Sequence, residues 1–322
     1  MRQLTLIQMK TLYLHIGLHK TGTTSIQRFF TENAEAFENM VHYPTAGNNG
    51  ISHGALSSTL KSEKWVESYR ALLANMGAVK ESHYADIPDA DKRAMYDALR
   101  DEINRNSSDT VVISSEGFYE WISPDALKQA FDWFAGEIKV VVYLRRQDDW
   151  LMSVYNQMVK DEKMRYFGAA NKIPQLSLIN FHDYLEALSA CFGRQSLIVR
   201  LWYPGVDVIH DFLANVLRLD SRFVSKFAGK SVRENVSVPA QLIPLLRLGN
   251  RFSYLYSLMR WIARSPSLVA MLKKILPAYV PTFGLNIADT FRPSNRRIVE
   301  KFPELRNGCS EHEVSHFEFS GK

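Results

Sequence analysis

Much that would announce a function is scarce or missing from this chain of 322 residues. Its two cysteines, Cys191 and Cys309, are too few and too far apart for a disulfide scaffold or a zinc site. A reducing compartment is compatible with that count. No run approaches the roughly 18 apolar residues that span a bilayer. The first ten residues, MRQLTLIQMK, are too short and too polar for a secretory signal. The expectation is a soluble, cytoplasmic protein. Repeats, low-complexity tracts and linker-like stretches are also missing, so the organisation expected is an N-terminal extension over residues 1–10 and one domain over 11–322. Acid is absent from one long segment. Between Asn235 and Ala288 there is no Asp or Glu, while Arg247, Arg251, Arg260, Arg264, Lys273 and Lys274 add six positive charges, more than the net +5 of the whole chain. The hydrophobic and charged fractions, 46% and 23%, are those of a globular protein and exclude wholesale disorder.

What is present centres on TLYLHIGLHKTGTTSIQRFF, residues 11–30. Leu12, Tyr13, Leu14 and Ile16 read as a buried strand that breaks at Gly17. From Ile26, apolar residues recur at helical spacing through Phe29, Phe30, Ala34 and Phe37. A strand, a basic hydroxyl-rich loop and a helix in that order aim backbone N–H groups and a helix dipole at one point, which suits a phosphate. Lys20 can neutralise an anion, Gly22 lets the backbone approach it, and Thr23, Thr24 and Ser25 carry hydroxyls. The spacing from Gly17 to Gly22 matches the first half of the nucleotide-binding G-x-x-x-x-G-K-[ST] pattern. The lysine, however, stands two positions before Gly22, and Thr23 follows it.

Further strands are expected at 110–114, 139–144 and 196–203, and helices over 56–75, 89–104, 148–160 and from Ser123 and Asp207. Residues 41–51, with Pro44 and a Gly-Asn cluster, read as a loop. Strands alternating with helices predict an α/β fold whose central sheet is mostly parallel and flanked by helices, with a helical C-terminal elaboration. Ligands in such folds sit at the carboxyl ends of the strands, where Lys20, Glu116, Arg145 and Tyr203 all fall. Seven residues separate Arg145 from Ser153, so an arginine at a strand end and a serine in the next helix can converge on a second anion. A nucleoside triphosphatase would carry a magnesium-binding Asp at such a strand end. Two arginines there argue for direct charge neutralisation without a metal.

At these two motifs the chain resembles a known family. LHIGLHKTGTTSIQ resembles the phosphosulfate loop of sulfotransferases that use 3′-phosphoadenosine 5′-phosphosulfate (PAPS), and YLRRQDDWLMSVYNQ resembles their 3′-phosphate motif, about 120 residues further on. The likeness is to the bacterial and carbohydrate-type branch and covers residues from about 11 to 220. It implies a P-loop-like three-layer fold, PAPS as sulfuryl donor, no metal, and in-line displacement at an acceptor hydroxyl of a carbohydrate or glycolipid. It implies that Lys20, Thr21, Gly22, Thr23, Thr24 and Ser25 hold the phosphosulfate, with Lys20 stabilising the leaving oxygen, and that Arg145 and Ser153 hold the 3′-phosphate. LIVRLWYPGVDVIHDFLANVLRL is similar to the family's strand and helix near adenine, which gives that role to Tyr203. The family's third cofactor motif has no clean copy. Arg233 to Ser237 and Arg292 to Arg296 are substitutes, the first preferred.

The general base is expected to be Glu116, at the end of the second strand, with His53 as the alternative. The alternative for Glu116 is a structural carboxylate that pairs with an Arg or caps a helix, and a lone loop histidine such as His53 is more often an ordinary loop residue. Phe118, Tyr119 and Trp121 could stack on a sugar or belong to the core. The basic helical segment 235–290 is expected to border the acceptor site, which would suit an anionic saccharide or a lipid-linked acceptor at a membrane surface. No nucleic-acid recognition module is visible. A P-loop kinase or nucleotide hydrolase, and a non-catalytic nucleotide-binding protein, are the competing readings.

Overall fold

The computed structural model describes residues 9–60, 67, 70–71, 88–120, 122–160, 180–227, 239–278, 287–305 and 311–318. Five parallel strands form one sheet: β1 Thr11–His15, β2 Val41–His42, β3 Thr110–Ser114, β4 Glu137–Arg145 and β5 Leu197–Trp202. Their spatial order is β2-β3-β1-β4-β5, with Leu14 of β1 opposite Ile113 of β3 and Val140 of β4. Helix α1, Thr23–Glu32, follows β1. Helices α2, Gly54–Ser58, and α3, Asp89–Arg105, lie between β2 and β3. Between β3 and β4 come α4, Gly117–Glu120, and α5, Pro124–Ala130. Helices α6, Gln147–Lys160, and α7, Phe181–Phe192, precede β5, and α8, Val208–Asp211, and α9, Ser221–Ser225, follow it. Among the described residues, α-helices α10 Ile243–Arg251, α11 Ser253–Arg264, α12 Pro266–Ile275, α13 Ile287–Lys301 and α14 Glu311–Glu318 come after these.

Both faces of the sheet are covered, which is why its strands are almost continuously apolar. Side chains alternate between the faces. Leu12 and Leu14 of β1, Val140, Val142 and Leu144 of β4, and Leu197, Val199 and Leu201 of β5 share one core with α6, α7 and α13. Val112, Val141 and Tyr143 point the other way, onto Ile26, Phe29 and Phe30 of α1 and onto Val208, Ile209 and Phe212. Each such fully buried side chain contributes about 1.5–3 kcal/mol. The result is the three-layer α/β arrangement expected from the alternation of strands and helices.

Local signals account for several helix starts. The Ser123 hydroxyl accepts from the Ala126 N–H at 3.3 Å and Pro124 opens α5, while Asp207 caps α8 by accepting from the His210 N–H at 3.0 Å. Two expectations change. Residues 41–51 are not all loop, because Val41 and His42 pair with β3 as a short edge strand. Two residues are too few to show an alternation. The helix expected over 56–75 is short where described, at Gly54–Ser58, and most of 61–75 lies outside the described residues. Among the described residues no helix is long and apolar enough to cross a membrane.

Candidate anion-binding site

The chain runs from β1 first to β2 and β3 on one side, then to β4 on the other, so the crest beside β1 is where the strand order reverses. Three strand ends meet there: the 16–22 loop after β1, Ser115-Glu116 after β3, and Arg145 closing β4. A Cβ added to Gly17 would lie 3.4 Å from the Glu116 Cα, which shows how closely the first two pack.

The loop takes a left-handed backbone at Gly17, Lys20 and Gly22, with φ of 99°, 65° and 86°. Loops whose backbone changes hand in this way are the kind that form anion-binding concavities. Gly22 is needed twice over, since its φ is positive and a Cβ there would meet Val208 Cγ1 at 2.8 Å. Thr21 and Thr23 both donate their hydroxyls to the Leu18 carbonyl, at 2.6 and 2.9 Å, and are buried. These bonds cinch the loop into a ring. The Thr23 hydroxyl is therefore engaged in shaping the loop, and what Thr23 offers an anion is its backbone N–H at the start of α1. Thr24 and Ser25 are half-buried on the first turn of that helix.

Lys20 donates to Gln157 Oε1 at 2.7 Å, and the indole of Trp150 donates to the His19 carbonyl at 3.0 Å. Trp150, Ser153 and Gln157 are spaced three and four apart, so one face of α6 lies along the loop with Ser153 between the two contacts. Arg145 lies over the Trp202 ring at 4.3 Å and approaches the Lys20 carbonyl through Nη1 at 3.4 Å. Its Nε is buried with no hydrogen-bond partner among the described residues. A buried guanidinium donor left unpaired is costly, and an anionic oxygen is an acceptor that would satisfy it. Burial lowers the Arg145 pKa, and Asp149 and Asp148 oppose that shift. Arg146 has a different part. It is tied to Asp148 at 2.7 Å, Asp149 at 3.1 Å and the His316 carbonyl at 3.2 Å, and so fastens α6 to α14.

Glu116 is joined through Oε2 to His19 Nδ1. Burial pushes the Glu116 carboxyl up, but the charge and hydrogen bond of His19, with Lys20 and His15, outweigh burial and hold it below the usual range. It stays ionised at neutral pH. Beneath it, His15 is fully buried against Ser114 Oγ at 2.8 Å, which also accepts from Gln27 Nε2 at 3.2 Å. Burial lowers the His15 pKa to about 4, Glu116 pulling the other way.

His53 does not reach this group as a base. Its Nδ1 accepts from the Ser114 N–H at 3.1 Å and its Nε2 donates to the Pro44 carbonyl at 2.9 Å, so both ring nitrogens are used. Fully buried and with its pKa lowered by burial to about 4, it is a neutral strut between β3 and the 43–53 loop. Phe118 and Tyr119 are likewise core, 0% and 2% exposed, and Tyr119 packs edge-on against Tyr184. Trp121 and Arg233 lie outside the described residues. The stretch from Arg292 to Arg296 is no loop but part of α13, with Arg292 paired to Asp289 at 2.8 Å.

Tyr203 lines a cavity of about 200 Å³ just past the end of β5, with Val206, Asp207 and His210. Its wall includes Asp211, which accepts from Tyr143 Oη at 2.6 Å, Arg200 Nε at 3.0 Å and Asn215 Nδ2 at 2.8 Å.

Four members of the crest were not singled out from sequence: His19, Trp150, Gln157 and Trp202. His19 carried a signal, a histidine next to Lys20 inside the loop. Gln157 and Trp202 carried none, since their contacts are made across the sheet crest.

No protein-family model matches the chain. An uncharacterised protein of Archaeoglobus fulgidus is 34% identical over 110 residues, a match spanning 32% of this chain and 29% of that protein, less than a third of its length. Among solved structures, a sulfotransferase from Alicyclobacillus acidocaldarius is similar at 15% identity, covering 80% of this chain and 98% of that one, with a TM-score of 0.39. A superposition that loose carries no residue correspondences.

Proposed function

We propose that the chain is a sulfotransferase that moves a sulfuryl group from PAPS to an acceptor hydroxyl, on a carbohydrate or glycolipid, by metal-independent in-line displacement. The observation that carries this reading is Arg145. A half-buried guanidinium, whose buried Nε has no hydrogen-bond partner among the described residues, stands at the strand end where a nucleoside triphosphatase would keep a magnesium-binding carboxylate. The cinched loop with its lysine before Gly22 supports it, because that loop and Arg145 make two neighbouring anion sites and the donor has two anionic ends.

PAPS supplies a sulfuryl group activated by a phosphate leaving group. The first-turn N–H groups of α1, with Thr24 and Ser25, hold the 5′ end, and Gly22 permits close approach. Lys20 leaves Gln157 to neutralise the charge that grows on the leaving oxygen as its bond to sulfur breaks. Arg145 and Ser153 hold the 3′-phosphate, and Tyr203 borders the base. The acceptor oxygen forms the new bond to sulfur and gives its proton to the His19–Glu116 pair. In that pair the ionised carboxylate fixes the imidazole through Nδ1 and stabilises it once charged.

Calorimetry with 3′-phosphoadenosine 5′-phosphate, set against ATP with magnesium, tests the reading directly. Tighter, magnesium-dependent binding of ATP would overturn it in favour of a kinase or nucleotide hydrolase. Transfer of radiolabelled sulfate from PAPS to cell-envelope glycans then tests catalysis, with Glu116→Gln and His19→Ala both expected to lower kcat.

A further inference from the structure

The acid-free segment contains an unusual surface. Among the described residues, eight large hydrophobic side chains are exposed, and six of them lie between Leu248 and Ile275. Leu258 and Trp261, three apart on α11, are 48% and 62% exposed, and Met271 and Ile275, four apart on α12, are 48% and 67% exposed. Each pair therefore shares a helix face. Arg264 follows Trp261 by three positions, Lys274 follows Met271 by three, and both are exposed, as are Arg251 and Lys273. The opposite side of α11 packs Met259 and Ala263 against the core, so α11 is anchored to the domain on one face and bare on the other.

We propose that α11 and α12 seat this chain on the surface of an anionic lipid bilayer, with Leu258, Trp261, Met271 and Ile275 in the acyl boundary and the flanking cations on the headgroups. Charge decides the occupant. With no Asp or Glu between Asn235 and Ala288, a second copy of the chain meeting this face about a two-fold axis would set like charges together. An anionic headgroup layer neutralises them, and long basic side chains reach it from beside buried apolar residues. Neither helix is long enough to span, so the contact is peripheral. The inference is independent of the donor site, and its failure would leave the sulfotransferase reading intact.

Flotation of the full chain with phosphatidylcholine vesicles, with and without phosphatidylglycerol, tests it. The chain is expected to float only with the anionic vesicles and to be released by raised salt. A cation near an anionic surface contributes about 1 kcal/mol, so Lys273→Ala with Lys274→Ala should weaken partitioning by up to about thirtyfold. Trp261→Ser with Ile275→Ser should abolish flotation, with an unchanged circular dichroism spectrum because both side chains are exposed. Three results would overturn the proposal: no flotation with anionic vesicles at low salt, equal flotation with neutral ones, or binding that survives both variants. A dimer in solution that Trp261→Ser with Ile275→Ser dissociates would also overturn it, showing a second copy as the occupant.

Discussion

The sheet crest and the α11–α12 pair are both rich in cations, yet they treat charge in opposite ways. At the crest, Glu116 meets His19, Lys20 meets Gln157, Arg146 meets two aspartates and Arg145 stacks on Trp202. These groups hang from strand ends and from a loop closed by two threonine hydroxyls, and burial magnifies each interaction. On α11 and α12 the described cations stand in solvent beside exposed apolar side chains, in a segment without acid. One region fixes each charged group in a defined geometry. The other presents a broad face on which position matters little and sign matters much.

The largest expected effect that would sharpen this contrast is acid sensitivity arising beneath the crest. His15 and His53 are buried neutral, with pKa values of about 4 in the folded chain against about 6.5 unfolded. The unfolded chain therefore binds more protons, and stability is present in full above pH 6.5 and lost as pH falls toward 4. Between pH 7 and pH 5 each histidine should remove on the order of 2 kcal/mol, read as a falling urea midpoint, and His53→Gln should flatten part of that slope. A midpoint that does not move would break the contrast.

Next in size, Lys20→Ala should lower kcat for sulfate transfer roughly 10²–10³-fold, with folding unchanged by circular dichroism. Gly22→Ala should destabilise by roughly 1–3 kcal/mol, through the positive φ and the contact with Val208. The same step should cost less in a Val208→Ala background, which thermal melts of the four proteins would show. Smallest of all, Trp261→Ser should change stability by under about 0.5 kcal/mol and leave transfer to a water-soluble acceptor as it was. A large loss there would mean that the face is packed and not bare.

Most of the sheet was legible. The strand expected at 110–114 is β3, and the one expected at 139–144 is β4 but for its ends, because parallel strands buried on both faces write themselves as apolar runs. The edge strand β2 was not, since two residues carry no pattern. At the site, Lys20, Glu116 and Arg145 could be named from their positions at strand ends. His53, the alternative base, is taken out of that role by burial, which the sequence does not show and which the packing of Tyr43, at 4.7 Å, and the two ring hydrogen bonds make plain.

The order of strands and helices, the glycine-punctuated loop with its lysine before Gly22, and the acid-free run were determined by sequence alone, because each is a pattern within a few neighbouring residues. The partners of those residues were decided only by tertiary structure. Lys20 and Gln157 are 137 positions apart, and Ser114 and His53 are 61 apart. Such pairs meet only once the register of β1 against β3 and β4 is set, and that register comes from packing both faces of the sheet at once.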